Sequence, residues 1–245
     1  MATTESTCDV EMANTRAEMI KDWGVDVRSC VAKDNSTPIK VLVALARDFN
    51  RDVRAIVAEN PRTPRATLAT LAKDKDEFVR WGVAGNASTP VEVLVKLAED
   101  ESQGVRSCIA GNRHVPPQVL VKLAGDVDVR VRYAVAQNTH APLGALAVLA
   151  NDDDQLVRLY VAENKVTPAR VLTILTRDEN EEIRMSIATH PNVSAKVLAV
   201  LAQDDYWQVR LAVARQASTP RELLRELIED EDEDVRWAAR RVTST

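Results

Sequence analysis

The chain lacks several features that mark common classes of protein, and each absence narrows what it can be. Its 245 residues include only three cysteines, Cys8, Cys30 and Cys108, too few for the disulfide framework of a small secreted domain. No apolar run approaches the length of a membrane span, and the first seven residues are polar and include Glu5, unlike a signal peptide. We therefore expect a cytoplasmic protein that does not enter a membrane.

Signatures of catalysis are also missing. The sequence has no glycine-rich phosphate loop, no Gly-x-Ser-x-Gly elbow and no cysteine or histidine spacing typical of a zinc site. The balance of 32 basic against 37 acidic residues gives a net charge of -5, whereas a nonspecific nucleic-acid binder is normally basic. We expect a protein that is not an enzyme and that holds neither a metal nor a cofactor.

What the sequence does contain is a repeat. An arginine preceded by valine or isoleucine returns every 26 residues without insertion or deletion. The members of this series are Arg28, Arg54, Arg80, Arg106, Arg132, Arg158, Arg184, Arg210 and Arg236. Because a changed loop length would break the phase, the units must pack on their neighbours in the same way. We predict a single repeat domain over residues 1–245, with a degenerate capping unit at 1–26, regular repeats at 27–239 and a tail at 240–245.

Each unit is predicted to contain two short helices, as residues 60–85 illustrate. Thr63 followed by Pro64 indicates a helix start, with the hydroxyl as N-cap and the proline presetting the helical φ of the first turn. This first helix should end near Asp74, and a second should run from near Val79 to just before Asn86. Apolar residues on one face of these helices are Leu68, Leu71 and Ala72 in the first and Val79, Val83 and Ala84 in the second.

Polar residues recur in the same register and predict a structural ladder. An aspartate stands six residues before each repeat arginine, and an asparagine closes most second helices. The ladder positions, besides Arg54 to Arg210 of the series above, are Asp48, Asp74, Asp100, Asp126, Asp152, Asp178, Asp204, Asn60, Asn86, Asn112, Asn138 and Asn164. Ion pairs and backbone hydrogen bonds from these side chains would hold the stacked units together. The alternative interpretation is a row of arginines that faces phosphate groups.

The positions one and five residues after each arginine vary while their neighbours stay fixed. Since residues at i and i+4 share one helical face, these positions form a strip on the second helices, which would be concave if those helices line the inner side. The predicted binding residues of this strip are Trp81, Gly85, Gly111, Tyr133, Gln137, Leu159, Met185 and Leu211. Gly85 and Gly111 should leave a shallow recess beside the Trp81 indole. In the alternative interpretation the strip is half-buried packing, and the glycines are left-handed helix ends.

The unit Asn-x-x-Thr-Pro-x-x-x-Leu-x-x-Leu-Ala-x-Asp-x-x-x-x-Val-Arg-x-x-Val-Ala resembles the leucine-rich repeat variant family, and its aspartate and Val-Arg spacing is similar to that of HEAT repeats. The resemblance implies an all-α fold, a right-handed superhelical solenoid without β-sheet, in which an α-helix alternates with a second helix that is often 3₁₀. A founding family member carries an iron–sulfur cluster on an N-terminal group of cysteines. Here Cys8 is isolated, so no cluster is expected.

These observations favour a scaffold that binds a protein or peptide partner on its concave face. Two alternatives stay open at this point. The first is a nucleic-acid-binding solenoid that uses the repeat arginines and the nearby aromatic side chains. The second is a HEAT-like DNA glycosylase, for which Glu59 and Glu163 are the only acids on the strip.

Overall fold

The computed structural model describes residues 23–243, and within that range the chain is an all-α repeat solenoid without strands. Two kinds of helix alternate along it. The second helices of the units are α1 Val25–Lys33, α3 Arg51–Glu59, α5 Glu77–Gly85, α7 Gln103–Gly111, α9 Val129–Gln137, α11 Gln155–Glu163, α13 Glu181–Ala188, α15 Trp207–Arg215 and α17 Glu233–Thr243. The first helices are α2 Ile39–Leu45, α4 Arg65–Leu71, α6 Val91–Leu97, α8 Pro117–Leu123, α10 Leu143–Leu149, α12 Ala169–Leu175, α14 Ala195–Leu201 and α16 Arg221–Leu227.

Contacts between residues divide the chain into two compact units, Met1–Val119 and Leu120–Thr245, which we call the N-terminal and C-terminal units. The single domain over 1–245 stays a prediction. Most of the expected capping unit at 1–26 lies outside the described residues, as does Cys8. Both kinds of helix are α-helical throughout the described residues, so the 3₁₀ helix implied by the family resemblance does not occur there.

The apolar pattern places the core where the periodicity predicts it. In the unit at 60–85, Leu68 and Leu71 of α4 and Val79 and Val83 of α5 are all buried. α4 ends at Leu71, earlier than expected, and its chain turns through Ala72 before the second helix begins. Because helices of seven and nine residues are marginal in water, this buried stripe is what keeps them helical.

The prediction that the threonine of the Thr-Pro pair caps the first helix is wrong. Pro64 itself occupies the N-cap position of α4, and no side chain caps that end. The Thr63 hydroxyl instead points backwards and donates to the Val57 carbonyl of α3 at 2.5 Å. It adds a second donor to a carbonyl in the last turn of the preceding helix, which also accepts from the backbone N–H of the C-cap residue Asn60 at 3.2 Å. Equivalent bonds are Thr37 to Val31, Thr89 to Val83, Thr167 to Val161 and Thr219 to Val213.

Side-chain caps are found at the start of the second helices. The Asp76 carboxylate accepts from the Phe78 backbone N–H, and the Asp154 carboxylate accepts from the Leu156 and Val157 N–H groups. Each cap compensates backbone donors that the first helical turn leaves unpaired. An acidic or amide side chain therefore caps the start of α3, α5, α9, α11 and α13, whereas α1, α7 and α15 have no side-chain cap.

Successive second helices pack directly on one another within each unit of the chain. Gly82 marks the closest approach between α3 and α5. A Cβ at this position would lie 3.0 Å from the Ala55 carbonyl oxygen and 3.0 Å from the Ala58 Cβ. Glycine is needed here because of the space between the helices, since its φ is not positive.

Candidate functional site

The repeat arginines form ion pairs between successive repeats. Arg132 donates through Nε to one oxygen of Asp152 at 2.7 Å and through a terminal nitrogen to the other at 3.0 Å. The same two-bonded pair recurs in Arg28–Asp48, Arg54–Asp74, Arg80–Asp100, Arg158–Asp178, Arg184–Asp204 and Arg210–Asp230. In each case the aspartate lies 20 residues after the arginine, in the next repeat. The fork of the guanidinium matches both carboxylate oxygens, which makes this the strongest common geometry for such a pair.

The carboxylate that pairs with each of these arginines is therefore not that of the aspartate six residues before it. Asp126, six residues before Arg132, contributes its backbone carbonyl, which accepts from a terminal guanidinium nitrogen at 2.9 Å. Arg132 thus joins the loop of its own repeat to the carboxylate of the next. A side chain with five donors can make both connections at once.

The ladder leaves the guanidinium groups buried or nearly so. Arg28 is 3% exposed and Arg54 is 8% exposed. Burial acts to raise the pKa of Asp74, but the hydrogen bonds from Arg54 and from the Asp76 backbone N–H outweigh it and hold that pKa below its ordinary value. With their donors committed to carboxylates and carbonyls, these arginines do not form a free row of cations for phosphate.

The asparagine row joins repeats at the opposite end of the second helices. The Asn86 amide donates to the Ala58 carbonyl at 2.7 Å and to the Asn60 carbonyl at 2.9 Å, both in the preceding repeat. Its side-chain oxygen accepts from the Ser88 backbone N–H. One amide thereby pairs three backbone groups that stacking removes from water. No buried side-chain nitrogen or oxygen among the described residues lacks a partner.

The ion pairs and the asparagine row do not use the positions one and five residues after each arginine. These positions form a strip on the second helices, which we call the second-helix surface. In the N-terminal unit it contains Trp81, which is 45% exposed, with Gly85 and Gly111, also exposed. A Cβ at Gly85 would meet only the Cys108 sulfur at 3.5 Å, and at Gly111 it would meet nothing within 4 Å. Neither glycine has positive φ, so they are not left-handed helix ends.

A cysteine lies beside the backbone of Trp81. The Cys108 thiol is a weak donor to the Trp81 carbonyl at 3.7 Å and is half-buried. Burial, together with the nearby charge of Glu59, raises the pKa of Cys108 to about 11. The thiol therefore stays protonated at neutral pH and does not supply the thiolate that nucleophilic catalysis requires.

In the C-terminal unit, the positions one residue after each arginine are mostly apolar, and the positions five residues after it are polar or charged. Gln137 is exposed, and Tyr133, Met185 and Leu211 are half-buried. The Tyr133 hydroxyl donates to the Asp154 carboxylate at 3.0 Å. Leu159 is only 8% exposed, so its prediction as an exposed binding residue is wrong. Its burial agrees with the alternative interpretation, in which the strip is packing.

Two aromatic residues and one arginine near this surface were not among the predicted binding residues, and of these Trp237 and Arg241 are exposed and Tyr160 is half-buried. Tyr160 stacks edge-on against Tyr133 with ring centroids 5.4 Å apart. Trp237 is 57% exposed, and the Arg241 guanidinium lies over its ring at 5.3 Å. Trp237 and Arg241 occupy the same two repeat positions as the predicted residues, so the register could have found them. Tyr160 is one position further along its helix, and the spacing argument did not include it.

The first helices also carry exposed apolar side chains. Val148, Ile174 and Val200 occupy the same position in three successive repeats and are 50%, 43% and 43% exposed. Val91 and Val95 are similarly exposed on α6 of the N-terminal unit. This row, the first-helix surface, lies on the other helix of each pair and provides an internal comparison for the second-helix surface.

The described residues contain no group of three or more histidine, cysteine, aspartate or glutamate side chains that could hold a metal ion. Over the same residues, no helix is both long and apolar enough to cross a bilayer.

Comparison with known proteins identifies the repeat. A family model described as leucine rich repeat variant matches residues 51–76 and 207–232. A solved structure described as a leucine-rich repeat variant with a novel repetitive protein structural motif is 31% identical in sequence, and the match covers 87% of this chain and 88% of that one with a TM-score of 0.64.

Other solved structures are more distant. An engineered protein is 19% identical over 98% of this chain and 85% of its own, with a TM-score of 0.41. A HEAT-like repeats protein from the archaeon Thermococcus onnurineus NA1 is 15% identical over 95% of each chain, with a TM-score of 0.24. No curated protein matches the chain.

Proposed function

Because this chain belongs to the leucine-rich repeat variant family, we propose that it is a non-enzymatic scaffold that holds a protein or peptide segment on its second-helix surface. That this surface is concave stays a prediction. The family repeat accounts for the framework, namely the buried stripes, the arginine–aspartate pairs and the asparagine row. Function must then come from the positions that the framework leaves free.

The observation that carries the proposal is the exposure of large apolar side chains at those free positions. Trp81 is 45% and Trp237 57% exposed on second helices whose recurring polar side chains are otherwise occupied by intramolecular bonds. Aromatic side chains are the commonest anchors of protein interfaces, because they bury a large area at a small cost in side-chain entropy. Glycines beside Trp81 leave room for a partner side chain to pack against the indole.

The alternatives are less well supported. Nucleic-acid binding through the repeat arginines would require breaking pairs such as Arg132–Asp152, and the chain carries a net charge of -5. A glycosylase would need a carboxylate in a cleft with aromatic neighbours. Glu59 and Glu163 are instead exposed on helix surfaces. The occupied arginines, the negative net charge and the exposed position of the two glutamates all favour a protein or peptide partner.

The proposal is tested by selecting binders from a random peptide library against the full chain and measuring their affinities for matched variants. Leu211→Ala alters the second-helix surface, and Ile174→Ala alters the first-helix surface. We expect the first variant to weaken binding by about tenfold, as truncation at an interface anchor typically does, and the second to leave it unchanged. Binders that depend on Ile174 and not on Leu211, or no binders at all, would contradict the proposal.

A further inference from the structure

Two exposed arginines occupy corresponding positions at the end of the second-helix surface. Arg215 lies in the last turn of α15 and Arg241 in the last turn of α17, each five residues after an arginine of the 26-residue series. α15 and α17 pack directly on one another. Since packed helices have axes about 8 to 10 Å apart, the two side chains can reach a common group above the surface.

Unlike the ladder arginines, these two have no acidic partner in the part of the chain that the structure describes. Arg210, in the same helix as Arg215, binds both oxygens of Asp230, whereas among the described residues neither Arg215 nor Arg241 makes an ion pair. The Arg241 guanidinium carbon lies 5.3 Å from the centre of the Trp237 ring, within cation–π range. Each therefore has a full set of donors available to a ligand.

Apolar side chains lie beside both cations. Leu211 is four residues before Arg215, and Trp237 is four residues before Arg241, so each apolar residue shares a helical face with its arginine. Leu211 is half-buried and Trp237 is 57% exposed. This part of the surface thus combines two apolar side chains with two guanidinium groups that make no ion pair among the described residues.

The surrounding charge limits the kind of anion that can bind. Residues 126–245 carry 15 basic and 20 acidic side chains, and Glu229 to Asp234 form an unbroken acidic run that ends in the first turn of α17. A long polyanion such as a nucleic acid would bring phosphates close to these carboxylates. A short segment with one or two carboxylates can contact the arginines without doing so.

We propose that Arg215 and Arg241 bind the side-chain carboxylate of an acidic residue in the partner segment, while an adjacent large apolar side chain of that segment packs on Leu211 and Trp237. The inference rests on the proposed function and specifies the chemistry of the partner at this end of the surface. An arginine accepts a carboxylate through two parallel hydrogen bonds, which gives the contact direction as well as strength.

Three short acetylated and amidated peptides test the proposal, each with the core Leu-x-x-Leu and with glutamate, glutamine or lysine at both x positions. Binding is measured by fluorescence anisotropy with the full chain, its Arg215→Gln/Arg241→Gln variant and its Arg221→Gln/Arg225→Gln variant. The last is a matched control, because Arg221 and Arg225 are exposed arginines on α16 in the same region. A short oligothymidylate is the nucleic-acid probe.

We expect the glutamate peptide to bind the full chain about tenfold more tightly than the other two peptides, and to lose that advantage only in the Arg215→Gln/Arg241→Gln variant. Arginine in the last turn of a helix also interacts with the helix dipole, but that effect changes melting temperature and not peptide preference. Equal affinities for the three peptides, an unchanged preference in the variant, undetectable binding of all peptides, or tighter binding of oligothymidylate would overturn the inference.

The two proposals can fail separately. If library-selected peptides bind the second-helix surface and lose affinity in Leu211→Ala but not in Arg215→Gln/Arg241→Gln, the scaffold proposal stands and the acidic partner is wrong. If they lose affinity in neither variant and depend on Ile174, the scaffold proposal fails as well.

Discussion

At the scale of single residues, the ladder arginines have the clearest role. Each connects three segments: its own helix, the carbonyl of its own loop and the carboxylate of the next repeat. Removing one such side chain leaves a largely buried aspartate without its cation, and this cost exceeds the direct contribution of the pair itself.

We predict that Arg132→Ala lowers the free energy of unfolding by about 1 to 3 kcal/mol, because Asp152 and the Asp126 carbonyl lose their donors. Arg130→Ala, two residues away, should change it by less than about 0.5 kcal/mol, since the Arg130 side chain is 62% exposed in its ion pair. Chemical denaturation of the two variants measures both values. Equal effects would show that the ladder does not stabilise the fold.

His190 replaces asparagine in the amide row, and this substitution adds a titratable group. It is 3% exposed; its Nε2 lies 3.0 Å from the Asn164 carbonyl, and its Nδ1 accepts from the Asn192 backbone N–H at 3.0 Å. The neutral ring satisfies both contacts, whereas a proton on Nδ1 would oppose the Asn192 donor. Burial lowers the pKa of His190, and the hydrogen bond to Asn164 only partly offsets this.

A lowered histidine pKa means that the unfolded chain binds a proton more readily than the folded chain does. Stability should therefore fall as the pH drops below about 6.5, the usual histidine pKa, towards the lower pKa of the folded state. We predict that His190→Asn makes the melting temperature less sensitive to pH between about 7 and 5, and that the exposed His140→Asn does not. If the parent chain and His190→Asn show the same pH dependence, the buried neutral histidine is not what limits acid stability.

At the scale of helices, the buried and exposed faces of the second helices differ in the space they leave, and two glycines show this: Gly82 is buried and Gly111 is exposed. A Cβ at Gly82 would lie 3.0 Å from backbone and side-chain atoms of α3, whereas one at Gly111 would meet nothing within 4 Å. We predict that Gly82→Ala destabilises the protein by about 1 to 3 kcal/mol through overpacking. Gly111→Ala should stabilise it by about 0.4 to 1 kcal/mol, because alanine favours the helix. Thermal unfolding gives the two signs, and the same sign for both would refute this account of the packing.

The helices also show which features of the fold the sequence predicts and which it does not. The buried faces follow from apolar spacing alone, because Leu68, Leu71, Val79 and Val83 can share a core in only one helical register. The partner of each arginine does not follow, since a perfect period offers Arg132 an aspartate six residues before it and another 20 residues after it. Only the stacking of the helices decides between them. Leu159 illustrates the same limit at the candidate site, because spacing assigns a face but not the depth of the groove beside it.

At the scale of the whole molecule, the 26-residue period is a requirement of the interfaces between repeats. Deleting residues 153–178 would join Asp152 to Glu179 and place Arg184 where Arg158 had been, with Asp204 still 20 residues ahead. We predict that this deletion folds with an unchanged helical signal per residue and a single unfolding transition. A deletion two residues shorter, 153–176, should lose helix and cooperativity because it breaks the register. Equal behaviour of the two would contradict the role of the period.

The recurring residues build the framework, and we propose that Trp81 and its neighbours on the second-helix surface contact a partner. Unfolding free energy and peptide affinity, measured together on Trp81→Ala with library-selected peptides, test it most directly. We predict an affinity loss of about 2 kcal/mol with the stability little changed, because the indole is 45% exposed. A stability loss of about 3 kcal/mol or more with unchanged affinity would instead show that Trp81 is a packing residue and would contradict the claim.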